Sequence, residues 1–335
     1  MKGEIKMKSS KDKLVVGAGP AGLVAAINLK REGFNVILQE KQARVGGEPG
    51  WHPSVHTTPV DDPGLYDYIG INCAEAFVDS TDVLKVFVGG KDVPGMKNVF
   101  GKLGMKNTER GDRPTSLDSF LFRIAEKEGV EFEFGKTFTQ DDLERAAKGT
   151  ILTTGLTPGM YDWLGIDHTV FAGYWANTET EPGFVSNTFY LGQFSNEYGY
   201  ACAMNGIWYV LLFARRDVDP QDLEKFRGVL AEKEGRTFDK WRRFLGHTPK
   251  GPRLFHRDFI LAGTLAGVVE PAFGGGITGA LLSGKIAAMA VTEPDRALTE
   301  FKRFTDGIIA HIARKKAKVG YAPTIQMGKV WFDVK

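Results

Sequence analysis

From Lys13 the chain reads KLVVGAGPAGLVAAINLKREGFNVILQEK: an apolar run, a glycine turn, apolar positions at helical spacing, Gly33 as a stop, and a second apolar run. That order predicts strand, helix and strand, the βαβ unit of a parallel sheet. Residues 44–112 lose this regularity. They are rich in Gly, Pro, Asp and His, with one short alternation at 83–88, and read as a loop-dominated excursion. Periodicity returns as a helix over 116–128, a strand over 130–134, a short charged helix over 141–148 and a strand over 150–153 that enters the turn Thr154-Gly155. Between 169 and 214 several β-rich runs separated by Gly, Asn and Glu predict an antiparallel sheet. Helical patterns follow at 220–235, with Asp219 placed to cap and Pro220 to open, and at 238–244. A strand over 259–262, a helix over 276–291 and an amphipathic helix over 296–318 with a basic end complete the pattern, which contains no internal repeat.

The glycine turn is Gly17-Ala18-Gly19-Pro20-Ala21-Gly22, a G-x-G-x-x-G directly after a strand and opening a helix. Its first glycine permits the tight turn, the second lets backbone approach a pyrophosphate, and the third lets helix and strand pack closely. The helix start adds amides and a positive dipole end. Glu40 ends the second strand 18 positions after Gly22, close to the roughly 20 expected for a carboxylate that holds ribose hydroxyls. This context predicts a dinucleotide site.

Composition narrows the class. The 335 residues carry Lys+Arg 43 against Asp+Glu 41, a net charge of +2, which gives no bulk attraction to duplex nucleic acid. Cys73 and Cys202 are the two cysteines, too few for a disulfide framework, so a reducing compartment is expected. The basic N-terminus runs into an apolar segment broken at Gly17 and Gly19, which fits neither a signal peptide nor a spanning helix. A cytoplasmic protein is expected, with membrane contact, if any, at the periphery. Six scattered histidines make no metal pattern: His52 and His56 are four apart, but Pro53 argues against a helix, so both read as loop residues near the cleft. No G-x-S-x-G elbow supports Ser–His–Asp catalysis.

The residues after Glu40 narrow the cofactor to FAD. Lys41 stands beside it, and Arg44-Val45-Gly46-Gly47 resembles the RxGG segment of glutathione-reductase-like flavoproteins. Far downstream, Pro271-Ala272-Phe273-Gly274-Gly275-Gly276-Ile277 opens a helix in which Ala280, Ser283, Gly284, Ala287 and Ala288 match A-x-x-S-G-x-x-A-A. This pair of segments is similar to the FAD-binding ends of geranylgeranyl reductases. Asn72-Cys73-Ala74-Glu75-Ala76 resembles their C-G-E segment. Tyr198-Gly199-Tyr200-Ala201 with Asn205-Gly206 resembles their Y-x-W-x-F-P…G block, and Leu117-Asp118-Ser119-Phe120-Leu121 their F-D-x-x-L segment. Two positions depart from the pattern. The late G-D that contacts the ribityl chain is Gly263-Thr264, and the D-G of aromatic hydroxylases is Thr154-Gly155.

The resemblance implies an α/β fold: a Rossmann-like FAD-binding domain built from the discontinuous segments 13–50, 113–160 and 255–295, an inserted antiparallel β-sheet substrate domain from 51–112 and 161–254, and a C-terminal helix and tail over 296–335. The cofactor residues it implies are Gly17, Gly19, Pro20, Ala21, Gly22, Glu40, Lys41, Arg44, Gly46, Gly47, Gly155, Gly263, Thr264, Gly274, Gly275, Gly276 and Ile277. A helix start at Gly276 would meet the pyrimidine edge of the flavin. The expected activity is reduction of C=C bonds in an isoprenoid lipid or related apolar substrate, with Cys73 as proton donor and Glu75 next in line. No second G-x-G-x-x-G is present, so electrons would come from NAD(P)H visiting transiently, from ferredoxin or from another reduced carrier. The basic run 314–318 could receive such a carrier or anionic headgroups. Three other classes compete: an electron-transfer-flavoprotein-type quinone reductase, a flavin monooxygenase or halogenase, and a flavin-binding protein without turnover.

Overall fold

The computed structural model describes residues 11–60, 63–95, 97–98, 104–192, 194, 198–214, 218–269 and 275–316, the last ten by backbone alone. The opening pattern folds as read. Strand β1 (Asp12–Val16), helix α1 (Pro20–Arg31) and strand β2 (Asn35–Gln39) form a βαβ unit, with β1 and β2 parallel from Asp12↔Asn35 to Val16↔Gln39. Gly33 has φ 85°, the left-handed geometry that ends a helix on glycine.

The excursion after β2 is more regular than its composition suggested, and the expectation of a loop-dominated 44–112 is corrected. It carries β3 (Ser54–Pro59), α2 (Gly64–Ile69), a 3-10 turn at Ala74–Ala76, β4 (Phe77–Asp79), β5 (Leu84–Val88), β6 (Lys91–Asp92) and β7 (Met105–Arg110). Strands β3, β7 and β4 make a three-stranded antiparallel sheet. Short strands whose partners lie about fifty residues away leave little local signal, because cross-strand pairing rather than propensity stabilises them.

The chain then adds α3 (Leu117–Lys127), β8 (Glu131–Glu133), α4 (Gln140–Arg145) and β9 (Ile151–Leu152). Ser116 caps α3 by accepting from the Ser119 amide, and Thr139 forms a capping box with Asp142 on α4. Helix α5 (Pro158–Leu164) was not legible as a helix; it is one short turn-rich segment closed by Gly165 with φ 68°.

Strands β10 (His168–Glu179), β11 (Ser186–Leu191), β12 (Tyr198–Met204) and β13 (Ile207–Ala214) form the expected antiparallel sheet. After α6 (Pro220–Glu234), capped by Asp219, comes a second correction: 242–249 is a strand, β14 (Arg242–Pro249), where helix was expected over 238–244. Its partner decides this. Strand β10 offers a twelve-residue edge, and β14 pairs with it from His168↔Pro249 to Trp175↔Arg242. Glycine makes the fit, since a Cβ at Gly246 would strike the Phe171 ring and one at Gly173 the Phe244 ring. Strands β5 and β6 extend the other edge, giving the order β14-β10-β13-β12-β11-β5-β6.

The chain returns through β15 (Phe255–His256), β16 (Phe259–Leu261), a 3-10 turn at Gly263–Ala266, α7 (Ile277–Met289) and α8 (Pro294–Lys316). Strands β16 and β9 complete a six-stranded sheet in the order β15-β16-β9-β1-β2-β8, parallel except at its β15 edge. This is the discontinuous Rossmann-like construction the sequence implied. One core packs α1 and α7 on this sheet; a second, including Val55, Met105, Trp175, Tyr200 and Tyr209, lies between the seven-stranded sheet and β3. The far face of the large sheet is covered by Phe226 and Leu230 of α6. No helix among the described residues is long and apolar enough to cross a membrane.

Candidate functional site

Two helices begin on glycine beside one cleft. Ahead of α1, Gly17 has φ 103°, and its amide donates to the Gln39 carbonyl at 2.8 Å. A Cβ on Gly22 would collide with the Gly17 carbonyl and stand 2.7 Å from the Thr153 hydroxyl. Turn, helix and β9 therefore close on one another. Gly19 differs: nothing lies within 4 Å of where its Cβ would be. It is the N-cap of α1 and carries no side-chain cap, so bare amides and the positive dipole end face open space. Helix α7 starts the same way, with Gly276 as an uncapped N-cap. The helices pack closely because Gly284 leaves out a Cβ that would strike the Ala21 carbonyl.

The cleft has a volume of about 680 Å³ and runs from these two helix starts to a chamber beneath the seven-stranded sheet. Glu40 lies at its cofactor end. There it accepts the Ala18 amide through Oε2 at 2.7 Å and the Gln42 amide through Oε1 at 2.9 Å, tying the glycine turn to the end of β2. The chamber end is walled by Trp51, Phe171, Phe189, Tyr209, Phe213 and Phe244. The Trp51 and Phe244 rings lie 4.9 Å apart, and the His56 and Tyr209 rings 5.6 Å apart.

Four polar side chains also line this wall, and their charges are balanced. Arg110 grips Asp118 in two places, Nε to Oδ2 at 2.6 Å and Nη2 to Oδ1 at 2.9 Å, and the Gly111 amide adds a third bond to Oδ2 at 3.0 Å. Asp118 is buried; desolvation opposes its ionisation, but the Arg110 charge and these bonds hold its carboxyl below the usual range. Burial, helped by the Arg110 charge, pushes the His52 imidazole down to about 4 and the His56 imidazole down to about 3. Both are neutral at pH 7. Between them sits the Ser54 hydroxyl, 3.0 Å from Nδ1 of His52 and 2.9 Å from Nε2 of His56. A chamber with one matched ion pair and two neutral imidazoles suits an apolar, uncharged guest.

Strand β3 joins the two ends of the cleft. The Thr57 hydroxyl lies 2.7 Å from the Tyr200 hydroxyl on β12, and the Thr58 hydroxyl 2.8 Å from that of Thr278 in the first turn of α7. Among the described residues no group of His, Cys, Asp and Glu could hold a metal ion.

Most of the cofactor residues expected from sequence gather here. Gly17, Gly19, Pro20, Ala21, Glu40, Lys41, Gly46, Gly47, Gly155, Gly263, Thr264, Gly275, Gly276 and Ile277 line the cleft, and Gly22 packs behind them. Gly274 lies outside the described residues, as do Glu270 to Phe273 and the side chains of 314–318. Arg44 is not brought in. It is largely exposed and pairs with Asp112 at 2.7 Å rather than facing the cleft, because Gly46, with φ 67°, turns the segment against Gly111.

The two expected proton donors also lie elsewhere. Cys73 is fully buried in the core of the Rossmann-like sheet, its thiol donates to the Ile71 carbonyl at 3.5 Å, and burial pushes it up to about 12. Glu75 is exposed and pairs with Arg123 at 3.6 Å. Neither lines the cleft. The histidines that do, His52 and His56, stand four apart in the sequence, but on no helix. Their signal is period two: His52, Ser54, His56 and Thr58 alternate along one strand and its approach.

These residues fit a flavin dinucleotide. Gly19 leaves an unfilled flank at a helix start, Gly276 leaves a second uncapped start, and Glu40 offers a carboxylate. The Thr154 hydroxyl, on the cleft wall, is buried with no hydrogen-bond partner among the described residues. Fold and cleft together define the class: an oxidoreductase scaffold of flavoprotein type on a Rossmann-like core. Residues 15–65 match the family model described as NAD(P)-binding Rossmann-like domain.

The chain is similar along most of its length to a digeranylgeranylglycerophospholipid reductase of Methanocella arvoryzae, 25% identical over 325 residues that cover 87% of this chain and 80% of the relative. Among solved structures, a geranylgeranyl bacteriochlorophyll reductase-like protein of Thermoplasma acidophilum shares the fold at TM-score 0.65 and 16% identity, covering 96% of this chain and 91% of that one. CtdE in complex with FAD and a substrate shares it at TM-score 0.61 and 17% identity, covering 90% and 86%. The resemblance to geranylgeranyl reductases read from the motifs is borne out.

Proposed function

We propose that this chain is an FAD-dependent oxidoreductase that saturates carbon–carbon double bonds of a polyprenyl lipid or a related apolar substrate. The observation that carries this reading is the continuity of one cleft, from two uncapped glycine-led helix starts into an aromatic chamber whose ionisable groups are paired or neutral. The turn from Gly17 to Gly22 would hold the pyrophosphate, Glu40 a ribose, Thr264 the ribityl chain, and the first turn of α7 the pyrimidine edge. Bound there, a flavin supplies hydride chemistry at its N5. The chain supplies the rest. Trp51, Phe171, Phe213 and Phe244 give an apolar slot that orients a prenyl unit and excludes water. Its electrons come from NAD(P)H or a reduced protein carrier, and the substrate reaches the slot from a membrane surface.

Product analysis tests this reading. Under anaerobic conditions with FAD, dithionite and a digeranylgeranyl glycerolipid, mass spectrometry is expected to show a gain of two hydrogens for each bond reduced. An unchanged lipid with reduction of an added menaquinone analogue would make the chain a quinone reductase. Hydroxylated product formed in air would make it a monooxygenase.

A further inference from the structure

Three polar side chains stand in line at the cleft wall: His52 and His56 line it, and Ser54, fully buried behind them, bridges the two. A serine hydroxyl has one proton to donate, so it cannot donate to both imidazoles. When it donates to Nε2 of His56, it accepts from an N–H at Nδ1 of His52, and the reverse holds for the opposite polarity. Either way the two rings are locked into unlike protonation at their serine-facing nitrogens. Burial beside the fixed Arg110–Asp118 pair keeps both rings neutral, so no resident charge blocks transfer along the line.

Position gives this line a destination. Ser54, His56 and Thr58 share one face of β3. Thr58 touches the first turn of α7, where the flavin edge is placed, and His56 stands two residues away, about 7 Å along the strand. The His56 ring lies against Tyr209 in the aromatic chamber. His56 therefore sits between the cofactor end and the substrate end of the cleft. Cys73 and Glu75 do not.

We propose that His52, Ser54 and His56 form a proton relay, with His56 as the catalytic residue that protonates the substrate and the other two supplying it. This rests on the reductase reading of the same cleft. One carbon of the double bond receives a hydride, with its two electrons, from the reduced flavin, which is oxidised. The other carbon receives the proton from Nδ1 of His56. Nε2 of His56 takes the Ser54 hydroxyl proton, Ser54 takes the Nδ1 proton of His52, and Nε2 of His52 takes one from water. The net change is one saturated bond, one oxidised flavin and one proton drawn from solvent. The relay is left with reversed polarity, which exchange with cleft water resets.

Two measurements test it. In the wild-type protein with ¹⁵N-labelled histidine, NMR is expected to show neutral His52 and His56 rings in the same tautomer at pH 7, with the coupling lost in Ser54→Ala. Finding the two rings in opposite tautomers in the wild type, or unchanged tautomers in Ser54→Ala, would overturn the relay. The second measurement follows reoxidation of the dithionite-reduced flavoprotein by the polyprenyl lipid. His56→Gln is expected to slow it by about a hundredfold, within the range for loss of a general acid, while flavin content and the rate of reduction by dithionite stay unchanged. A His56→Gln rate equal to the wild-type rate would overturn the relay and leave the reductase reading standing. Failure of the wild type itself to be reoxidised by the lipid would overturn the reductase reading, and the relay with it.

Discussion

Gly19 and Gly22 are three residues apart in one motif, yet their surroundings differ completely. A Cβ at Gly22 meets the Gly17 carbonyl and the Thr153 hydroxyl, whereas one at Gly19 meets nothing. Gly19→Ala is therefore expected to leave unfolding free energy within about 0.5 kcal/mol of the parent. It should still weaken FAD binding, because overpacking against the dinucleotide costs about 1–3 kcal/mol, roughly tenfold to a hundredfold in Kd. Gly22→Ala is expected to lose stability outright. Chemical unfolding and FAD titration, run together, separate the two roles. Loss of stability without loss of affinity at Gly19 would remove it from the cofactor site. Arg110 offers a second contrast: Arg110→Ala leaves Asp118 buried without its partner and should destabilise by about 3–5 kcal/mol.

The two imidazoles also set a pH dependence. Both are held far below their unfolded values, so between roughly pH 6.5 and pH 4 the unfolded chain binds more protons than the folded one. Stability should fall with acidification across that window, by up to about 1.4 kcal/mol per pH unit for each ring. Urea midpoints measured from pH 7 to pH 4 check this, and the slope should flatten when both rings are replaced by Gln. The glycine turn was legible because Gly17 and Gly22 answer local backbone demands. Cys73 and Glu75 were misplaced because motif position says nothing about which way the 3-10 turn at Ala74–Ala76 presents them.

Among elements, the contact of α1 with α7 decides the cofactor end, because it sets the distance between the two open helix starts. At Gly284 a Cβ would lie 2.4 Å from the Ala21 carbonyl oxygen. Gly284→Val should force the helices apart, destabilise by about 1–3 kcal/mol and lower the flavin content of the purified protein. As a control, Gly228→Ala on α6 meets nothing within 4 Å and is expected to stabilise slightly, by about 0.5–1 kcal/mol. Differential calorimetry with flavin absorbance distinguishes these outcomes. Helices α1 and α7 could be read from sequence because apolar spacing and glycine punctuation are local. Strands β3, β4 and β7 could not, since each depends on a partner distant in the chain, and β14 was misread because the adjacent charges Arg242 and Arg243 at its start hide the alternation that β10 imposes.

At the scale of the molecule, the fold brings Gly17 and Gly276 to one cleft and lays an aromatic sheet across its far end. The Rossmann-like core followed from the motif context and the inserted antiparallel sheet from the β-rich runs over 169–214, whereas the strand order and the chamber's polar wall emerged only with the tertiary fold. The central claim is that this cleft joins a flavin to an apolar double bond. The most direct test is an anaerobic absorbance titration of the purified holoprotein, reduced stoichiometrically with dithionite and then given a digeranylgeranyl glycerolipid. Return of the oxidised flavin spectrum in proportion to the lipid added is the predicted result. A spectrum that stays reduced with the lipid yet recovers with oxygen or a quinone would contradict it.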